Sequence, residues 1–185
     1  MLPPRARSQS ADDRPDGAQS RRRRVQAGKN SLSVFKNHPE NGRGGFRLDR
    51  HVPYLLNFDG GQLSLNFAQA LRGTPIRYGM WRVLHTLWHL GPLTLSDVAM
   101  LAVFDISTLS RVADDLEQKK LIFRVKKRQQ RAPRLDLTEK GAKLVERMLP
   151  VARRCEKAAL RGLSSKDKET LVRLLQHIAI NLNGR

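Results

Sequence analysis

The sequence predicts a mainly α-helical fold with one small β-hairpin, organised as a winged helix-turn-helix between N- and C-terminal helices. Three observations support this fold class. Apolar residues recur at helical spacing through most of the chain after residue 47. Two short capped segments follow each other closely within residues 94–118, as in a helix-turn-helix. Two short apolar runs then flank a polar tip, which predicts a hairpin.

The composition indicates a polyanionic partner. The 185 residues include 35 Lys and Arg against 17 Asp and Glu, a formal net charge of +18, and nucleic acid is the first polyanion to consider. The one cysteine, Cys155, excludes an internal disulfide and a multi-thiol metal cage, which favours a reducing compartment. No segment approaches the roughly 20 apolar residues of a spanning helix, so we expect neither membrane insertion nor Sec export. The expected location is cytoplasmic, at the nucleoid.

Residues 1–46 are predicted to be a disordered basic tail. They are rich in Pro, Gly, Ser, Asn and Arg and show almost no apolar periodicity, so they cannot bury enough surface to offset their chain entropy. The four consecutive arginines at residues 21–24 could lie along phosphates whatever the base sequence. Two other interpretations stay open: a tail that only aids solubility, and a translation start that lies downstream.

Two helical segments open the ordered domain, which we expect at residues 47–185. The first spans about residues 48–72, and the breaker Asp-Gly-Gly at 59–61 divides its apolar pattern, so it is either one interrupted helix or two short ones. In the second, apolar residues within 80–88 repeat at i, i+4, i+7 and i+8 until Gly-Pro at 91–92 ends the helix. This stripe predicts a face packed in the core.

Two short capped helices form the predicted helix-turn-helix. The whole winged helix-turn-helix, with the helix before it and the wing, is expected at about residues 76–138. Thr94 is followed three residues later by Asp97, the arrangement of a capping box, so Thr94 is expected to begin a helix. Asp105 is a second N-cap candidate, and apolar residues at helical spacing give the helix after it a buried side. The short connection between the two helices is typical of this motif.

A hairpin and two further helices complete the chain. Residues 121–125 and 134–137 are predicted strands. Thr138 is expected to cap a long helix in which Pro150 removes one hydrogen bond and could introduce a kink. A Ser-x-x-Asp capping pair at 164–167 then begins an amphipathic helix. Its apolar positions are Leu171, Leu174, Leu175, Ile178 and Leu182.

The helix after Asp105 carries the residues best suited to contacting DNA. With its apolar side in the core, its N-terminal outward side is left with Ser107, Thr108, Ser110 and Arg111. A recognition helix inserts this end into the major groove. The short hydroxyls can approach phosphates and base edges, and Arg111 can bind guanine O6 and N7 with a discrimination of roughly 1–3 kcal/mol. The alternative is an ordinary capped helix with a polar face.

The predicted wing is the most positive part of the chain. Between residues 119 and 134 there are eight basic residues and no acidic one. A hairpin beside a recognition helix reaches the adjacent minor groove, whose phosphate-lined walls attract guanidinium groups. We therefore expect phosphate or groove contacts here rather than a merely solvated face. Besides the recognition helix, the expected DNA-contacting residues are Thr94, Lys120, Lys126, Lys127, Arg128, Arg131 and Arg134.

Four motifs resemble successive signatures of the MarR family of winged helix-turn-helix regulators. They are WRVL at 81–84, LTLSDVA at 93–99, STLSRVADDLE at 107–117 and LTEKG at 137–141. They occur in order and at family-like spacing, and the likeness covers about residues 48–182.

This resemblance implies a homodimer whose first and last helices, about residues 48–72 and 139–183, intertwine. The two recognition helices would enter successive major grooves roughly 34–36 Å apart on a pseudo-palindromic operator, with the wings beside them. The implied dimer contacts include Leu171, Leu174, Leu175 and Ile178.

Two positions depart from the family pattern. The wing tip has Gln129-Gln130-Arg131 where members often have Asp-x-Arg, so Arg131 is either more mobile or oriented by Gln129. Lys120 stands where a glycine usually ends the recognition helix. If a left-handed conformation is required there, a non-glycine residue costs roughly 1 kcal/mol, and a phosphate contact by Lys120 could recover part of it.

The resemblance also suggests a cleft for a small anionic or aromatic effector between the dimerisation helices and the DNA-binding part. Arg50 and His51 are the better candidates to bind a carboxylate, because the core pattern does not require them. Core packing is the alternative for Trp81 and Trp88, which lie seven residues apart on the apolar face. Cys155 is either an inert buried thiol or a redox switch with a lowered pKa. The effector candidates are Arg50, His51, Tyr54, Trp81, His85 and Trp88.

A sequence-specific repressor is the favoured function. We expect a homodimer that an effector, for example an aromatic acid or its thioester, releases from its operator. A non-specific architectural DNA- or RNA-binding protein that uses the tail and wing is the alternative. An enzyme is not expected, because the sequence shows no paired carboxylates in a cleft, no phosphate loop and no nucleophile motif. The five histidines show no ligand spacing, so neither a metal nor a cofactor is expected.

Overall fold

The computed structural model describes residues 47–125 and 132–184. The predicted tail at 1–46 lies outside these described residues, as do four expected DNA contacts at the wing tip, Lys126, Lys127, Arg128 and Arg131. The chain divides into two units, Met1–Asp49 and Arg50–Arg185. In the first unit, Arg47 and Asp49 form an ion pair of 2.6 Å.

The described residues form six α-helices and one three-stranded antiparallel sheet, after a 3-10 turn at Leu48–Arg50. The helices are α1 (Val52–Ala70), α2 (Tyr78–Leu90), α3 (Leu95–Leu101), α4 (Ile106–Gln118), α5 (Glu139–Ala159) and α6 (Ser165–Asn183). The strands are β1 (Leu93–Thr94), β2 (Ile122–Val125) and β3 (Arg134–Leu137), in the spatial order β1-β3-β2. The predicted fold class, mainly α with a small hairpin, is confirmed.

The structure decides two points that the sequence left open or missed. Helix α1 continues through the Asp-Gly-Gly breaker at 59–61, so the expectation of either one interrupted helix or two short ones is wrong. A glycine lowers helix propensity by about 1 kcal/mol but keeps its backbone hydrogen bond. The helical turns on both sides of the two glycines therefore suffice to keep this 19-residue helix continuous. The sequence also did not predict β1, in which Leu93 pairs with Leu135 and Thr94 pairs with Arg134.

The helix starts agree with the predicted caps. Each capping side chain accepts a hydrogen bond from the backbone N–H three residues later, which satisfies one of the donors left open at a helix N-terminus. Two of the four, before α3 and α6, are reciprocal capping boxes. The capping residues are Thr94, Asp105, Thr138 and Ser164.

The core lies between α2, α3, α4, α5 and the sheet. Except for Trp88, the predicted apolar stripes of α2 and α4 face it, and all of these elements contribute buried side chains. Because such a core fixes the position of α4 from three sides, the outward face of α4 has one defined orientation. The most deeply buried side chains are Val83, Leu84, Val98, Leu109, Leu116 and Val145.

The start of α5 packs directly on the backbone before β2. A Cβ at Gly141 would lie 2.0 Å from the carbonyl oxygen of Leu121, closer than non-bonded atoms can approach. Thr138 adds two hydrogen bonds at this junction, from its N–H to Leu121 O (3.1 Å) and from its hydroxyl to Lys120 O (2.8 Å). The glycine of the LTEKG motif is therefore required by contact with the wing.

The two terminal helices expose apolar side chains. None of the described side chains of α6 is buried. On α1, Phe67 packs in the core, but other apolar residues face solvent. The exposed apolar residues are Val52, Leu56, Leu63 and Leu65 on α1, and Leu171, Val172, Leu174, Leu175, Ile180 and Leu182 on α6. Within the described ranges, no helix is both long and apolar enough to cross a membrane.

Candidate nucleic-acid interface

Helix α4 presents a polar N-terminal half to solvent. Ser107, Thr108 and Arg111 are exposed, and Ser110 is half-buried. Arg111 is exposed and has no hydrogen-bond or ion-pair partner within the described residues, and its guanidinium carries five N–H donors. The arrangement is one that a recognition helix requires: a fixed inner face and an outward end with a guanidinium able to bind a planar acceptor pair.

Asp105, the N-cap residue of α4, accepts a hydrogen bond from the hydroxyl of Ser107, one of the residues predicted to contact DNA. Asp105 Oδ1 accepts hydrogen bonds from Ser107 Oγ (2.6 Å) and from the backbone N–H of Thr108 (2.7 Å). These bonds, that of Ser107 first, hold the pKa of Asp105 well below its usual range. A serine hydroxyl has one proton, so Ser107 must leave the cap to donate to a phosphate, whereas Arg111 is ready to bind.

The turn between α3 and α4 contains a strained residue that sequence reasoning missed. Val103 has φ +51°, a left-handed conformation that is unfavourable for a β-branched side chain. The N–H groups of Val103 and Phe104 bond back to Met100 O (3.3 Å) and Ala99 O (2.8 Å), the two hydrogen bonds of a Schellman motif. Glycine is the usual residue at this position, and the side chain of Val103 is 78% exposed.

Arg82 of α2 fixes this strained turn. Its Nη2 donates to Val103 O at 3.0 Å, and its guanidinium carbon lies 4.5 Å from the centre of the Phe104 ring. The hydrogen bond to Val103 and the cation–π contact with Phe104 hold the backbone in place just before α4. Arg82 itself lies on α2, outside the two helices α3 and α4. Helical periodicity gave no sign of this role. Arg82 is part of the WRVL motif, but only the fold brings it to the turn.

The end of α4 repeats the same backbone motif. Lys120 has φ +58°, and its N–H and that of Leu121 bond back to Glu117 O (2.8 Å) and Leu116 O (2.9 Å). Lys120 therefore adopts the left-handed conformation in which glycine is the usual residue. The side chain of Lys120 is exposed beside the wing.

Acidic residues of α4 neutralise part of the wing's charge. Arg124 on β2 forms ion pairs of 2.6 Å with both Asp114 and Glu117. The sequence shows no acidic residue within 119–134, but the packing of β2 on α4 brings these two carboxylates to the wing. Arg124 therefore connects the wing to α4, and its two ion pairs compensate part of the positive charge that the sequence places in this segment.

Two other residues that are predicted to contact DNA form hydrogen bonds within the chain. Arg134 Nη1 donates to the carbonyl oxygen of Pro92 at 3.0 Å. The hydroxyl of Thr94 donates to Asp97 Oδ2 (2.7 Å) and accepts from the N–H of Asp97 (3.2 Å). Arg134 keeps further N–H donors for a phosphate, whereas the only hydroxyl proton of Thr94 is in use.

The structure brings three of the six effector candidates together on α2. Trp81 is 5% exposed and packs in the core, with its ring 4.8 Å from that of His85. Trp88 is 37% exposed, so the prediction that it lies on the core face is wrong: it sits near the end of α2, beyond the core. Burial, and then the nearby His89, lower the pKa of His85.

The other three effector candidates lie around the start of α1. Arg50 is exposed, and His51 and Tyr54 are half-buried. The ring of Tyr54 stacks on that of Phe58 at 6.0 Å, one helical turn away. Cys155 on α5 is half-buried rather than fully buried. Of the predicted dimer contacts on α6, Leu171, Leu174 and Leu175 are exposed and Ile178 is half-buried.

Comparisons with known proteins agree with this geometry. Residues 77–131 match the family model described as MarR family. The HTH-type transcriptional repressor IacR of Pseudomonas putida is 25% identical over 138 residues, 74% of this chain and 83% of that protein. A MarR family transcriptional regulator of Silicibacter pomeroyi has a similar solved structure, with a TM-score of 0.71 and 26% identity over 78% of this chain and all of the other.

Two further solved structures concern DNA binding. One is a complex of S. aureus MepR with DNA (TM-score 0.62, 26% identity, 72% of this chain and 99% of that one). The other, Bordetella bronchiseptica BpsR, was solved to explain regulation of DNA binding by 6-hydroxynicotinic acid (TM-score 0.63, 26% identity, 69% and 98%). With its helix-turn-helix and wing, and with residues 77–131 matching the family model, the chain is similar in sequence and in fold to the DNA-binding transcriptional regulators of the MarR family.

Proposed function

We propose that the protein is a repressor that binds a pseudo-palindromic operator as a homodimer and is released by a small molecule. The observation that carries the proposal is the outward N-terminal half of α4, where Arg111 has no partner within the described residues. MepR, a structural neighbour, is solved bound to DNA, and IacR, a relative, is a repressor. Arg111 reads a guanine, Thr108 contacts a phosphate or base edge, and the wing lies along the adjacent backbone.

The exposed apolar faces of α1 and α6 support a homodimer. Monomeric proteins rarely expose a continuous apolar surface of this kind, and six large apolar side chains of α6 are more than one third exposed. A second copy is the partner that would cover the same faces by two-fold symmetry. That symmetry also presents two α4 helices to two half-sites, which makes the operator pseudo-palindromic.

Release by an effector is supported by one neighbour and by the placement of the candidates. DNA binding by BpsR is regulated by 6-hydroxynicotinic acid, an aromatic acid. Arg50 at the start of α1 is exposed and cationic, so it is suited to bind a carboxylate. An effector bound there would favour a spacing of the two α4 helices that does not fit the operator, and repression would be lost by population shift.

A salt titration of DNA binding tests the proposed function. The affinities of the full-length chain for its own promoter DNA and for random DNA are measured from low to physiological salt, beside a chain that begins at Arg47. We expect both proteins to prefer the promoter by about a thousandfold or more at physiological salt. If the preference is absent and the affinity follows residues 1–46, the protein is a general nucleic-acid binder and the proposal is wrong.

A further inference from the structure

Two histidines of α2 meet at their ring nitrogens. The Nε2 atoms of His85 and His89 are 3.0 Å apart, and the two rings are nearly perpendicular, with centroids 4.4 Å apart. They are four residues apart on one helix face, the spacing at which two side chains converge. No ligand spacing was expected among the five histidines, but this pair has it.

The distance between the two nitrogens fits one class of metal ion. At a metal–nitrogen distance of about 2.1 Å, two ligands at 90° lie about 3.0 Å apart, whereas two tetrahedral ligands lie about 3.4 Å apart. At the observed 3.0 Å the two rings share one N–H···N hydrogen bond. The same distance matches the right-angled geometry, so a metal ion would replace the shared proton without movement of either ring. Right-angled nitrogen ligands are typical of Cu²⁺ and Ni²⁺, and tetrahedral ligands are typical of Zn²⁺.

We propose that His85 and His89 form a binding site for a divalent copper or nickel ion. Each imidazole would coordinate through Nε2, and water would fill the remaining positions, since no group of three or more metal-ligating side chains occurs in the described residues. Cu²⁺ binds more tightly than Ni²⁺ or Zn²⁺, because it is highest in the general affinity order of divalent metals. The site does not depend on the proposed function.

The two tryptophans of the chain report directly on this site. Trp81 stacks on His85 with ring centroids 4.8 Å apart, and Trp88 meets His89 edge to face at 4.9 Å. The chain has no other tryptophan. A paramagnetic ion bound between the histidines would therefore quench nearly all of the tryptophan fluorescence, whereas an ion bound far away would quench little.

Copper titration of the full-length, tag-free protein tests the site. We expect saturable quenching that ends at one Cu²⁺ per chain and is reversed by EDTA. His85→Gln and His89→Gln should each weaken binding by about tenfold or more, and His177→Gln, a control on exposed α6, should change it by less than about twofold. Nitrogen hyperfine lines from two imidazoles in the electron paramagnetic resonance spectrum should be lost in both α2 variants and kept in the control.

Two results would overturn the proposal. One is quenching that rises linearly with Cu²⁺ and never saturates, which indicates collision rather than binding. The other is unchanged stoichiometry and hyperfine structure in the double variant H85Q/H89Q, which places the ion elsewhere on the chain. Circular dichroism without metal checks folding, and the exposed position of His89 makes His89→Gln the variant least able to disturb the core.

Discussion

The winged-helix lobe and the terminal helices bury their apolar residues to very different extents. In the lobe, α2 to β3, Leu84, Val98, Leu109 and Leu116 are fully buried. In α6, none of the described side chains is buried, although the helix is also amphipathic in sequence. The lobe is therefore stabilised by contacts within one chain, whereas α6 leaves an apolar face exposed, which is the face that the proposed dimer would cover.

Breaking the partner surface of α6 should give the largest effect on function. We predict that Leu174→Asp or Leu175→Asp yields monomers and abolishes operator binding, because a carboxylate cannot be buried in an apolar interface without a partner. Sedimentation gives the mass and a DNA-binding assay gives the affinity. Gln176→Asp adds the same charge at a neighbouring exposed position and should leave the dimer intact. A monomer that still binds the operator would contradict the prediction.

Breaking the lobe should instead cost folding stability. We predict that Gly141→Ala lowers the free energy of unfolding by about 3 kcal/mol or more, because the added methyl meets the backbone at Leu121 O. Urea denaturation at one protein concentration measures the change. A loss below about 1 kcal/mol would show that the α5–wing junction can move aside.

Gly60→Ala is the matched control for that substitution. Gly60 also lies inside a helix, but nothing stands within 4 Å of an added Cβ. There the same methyl should stabilise α1 by about 0.5–1 kcal/mol, through helix propensity alone. Comparison of the two variants thus distinguishes the effect of a methyl group in a closely packed position, Gly141, from its effect in open space, Gly60.

Removing the outward arginine of the lobe should change affinity and leave stability unaltered. We predict that Arg111→Ala weakens operator binding by roughly 1–3 kcal/mol, about 5- to 150-fold, and relaxes the base preference at one position. Binding to random DNA should fall much less. Equal losses on operator and random DNA would refute base reading by Arg111. Arg153→Ala, at an exposed position of α5, is the charge-matched control.

Relieving the strained turn of the lobe should give the smallest effect, an increase in stability. We predict that Val103→Gly raises the free energy of unfolding by about 1 kcal/mol, because glycine accepts φ +51° without penalty and the valine side chain is largely exposed. Thermal or urea unfolding measures the gain. A decrease would mean that the valine side chain makes contacts worth more than the backbone strain.

Local chemistry made much of the fold predictable. The four helix caps depend on residues three apart, and the core stripes of α2 and α4 depend on a 3.6-residue period, so both are visible in sequence. The same local view failed at α1, where an Asp-Gly-Gly run suggested a break but the helix continues. It also missed β1, because a two-residue strand exists only through its pairing with β3.

The candidate DNA-binding site was predictable in its residues but not in their partners. The outward position of Arg111 followed from helical periodicity. In contrast, Ser107 is bound to its own cap, Thr94 to Asp97 and Arg124 to two carboxylates of α4. A count of charges along the chain could not show these pairs, because an ion pair depends on which elements pack together.

Residue patterns along the chain predicted the helices, their starts and the likeness to the MarR family, since each depends on residues near one another in the chain. Which groups are free to act depends instead on how the elements pack in the folded chain. In the folded chain, Arg82 binds the strained turn, the ring nitrogens of His85 and His89 meet, and Gly141 packs against the backbone of Leu121. Such contacts depend on side-chain rotamers and on the distances between packed elements, which become defined only when the core closes.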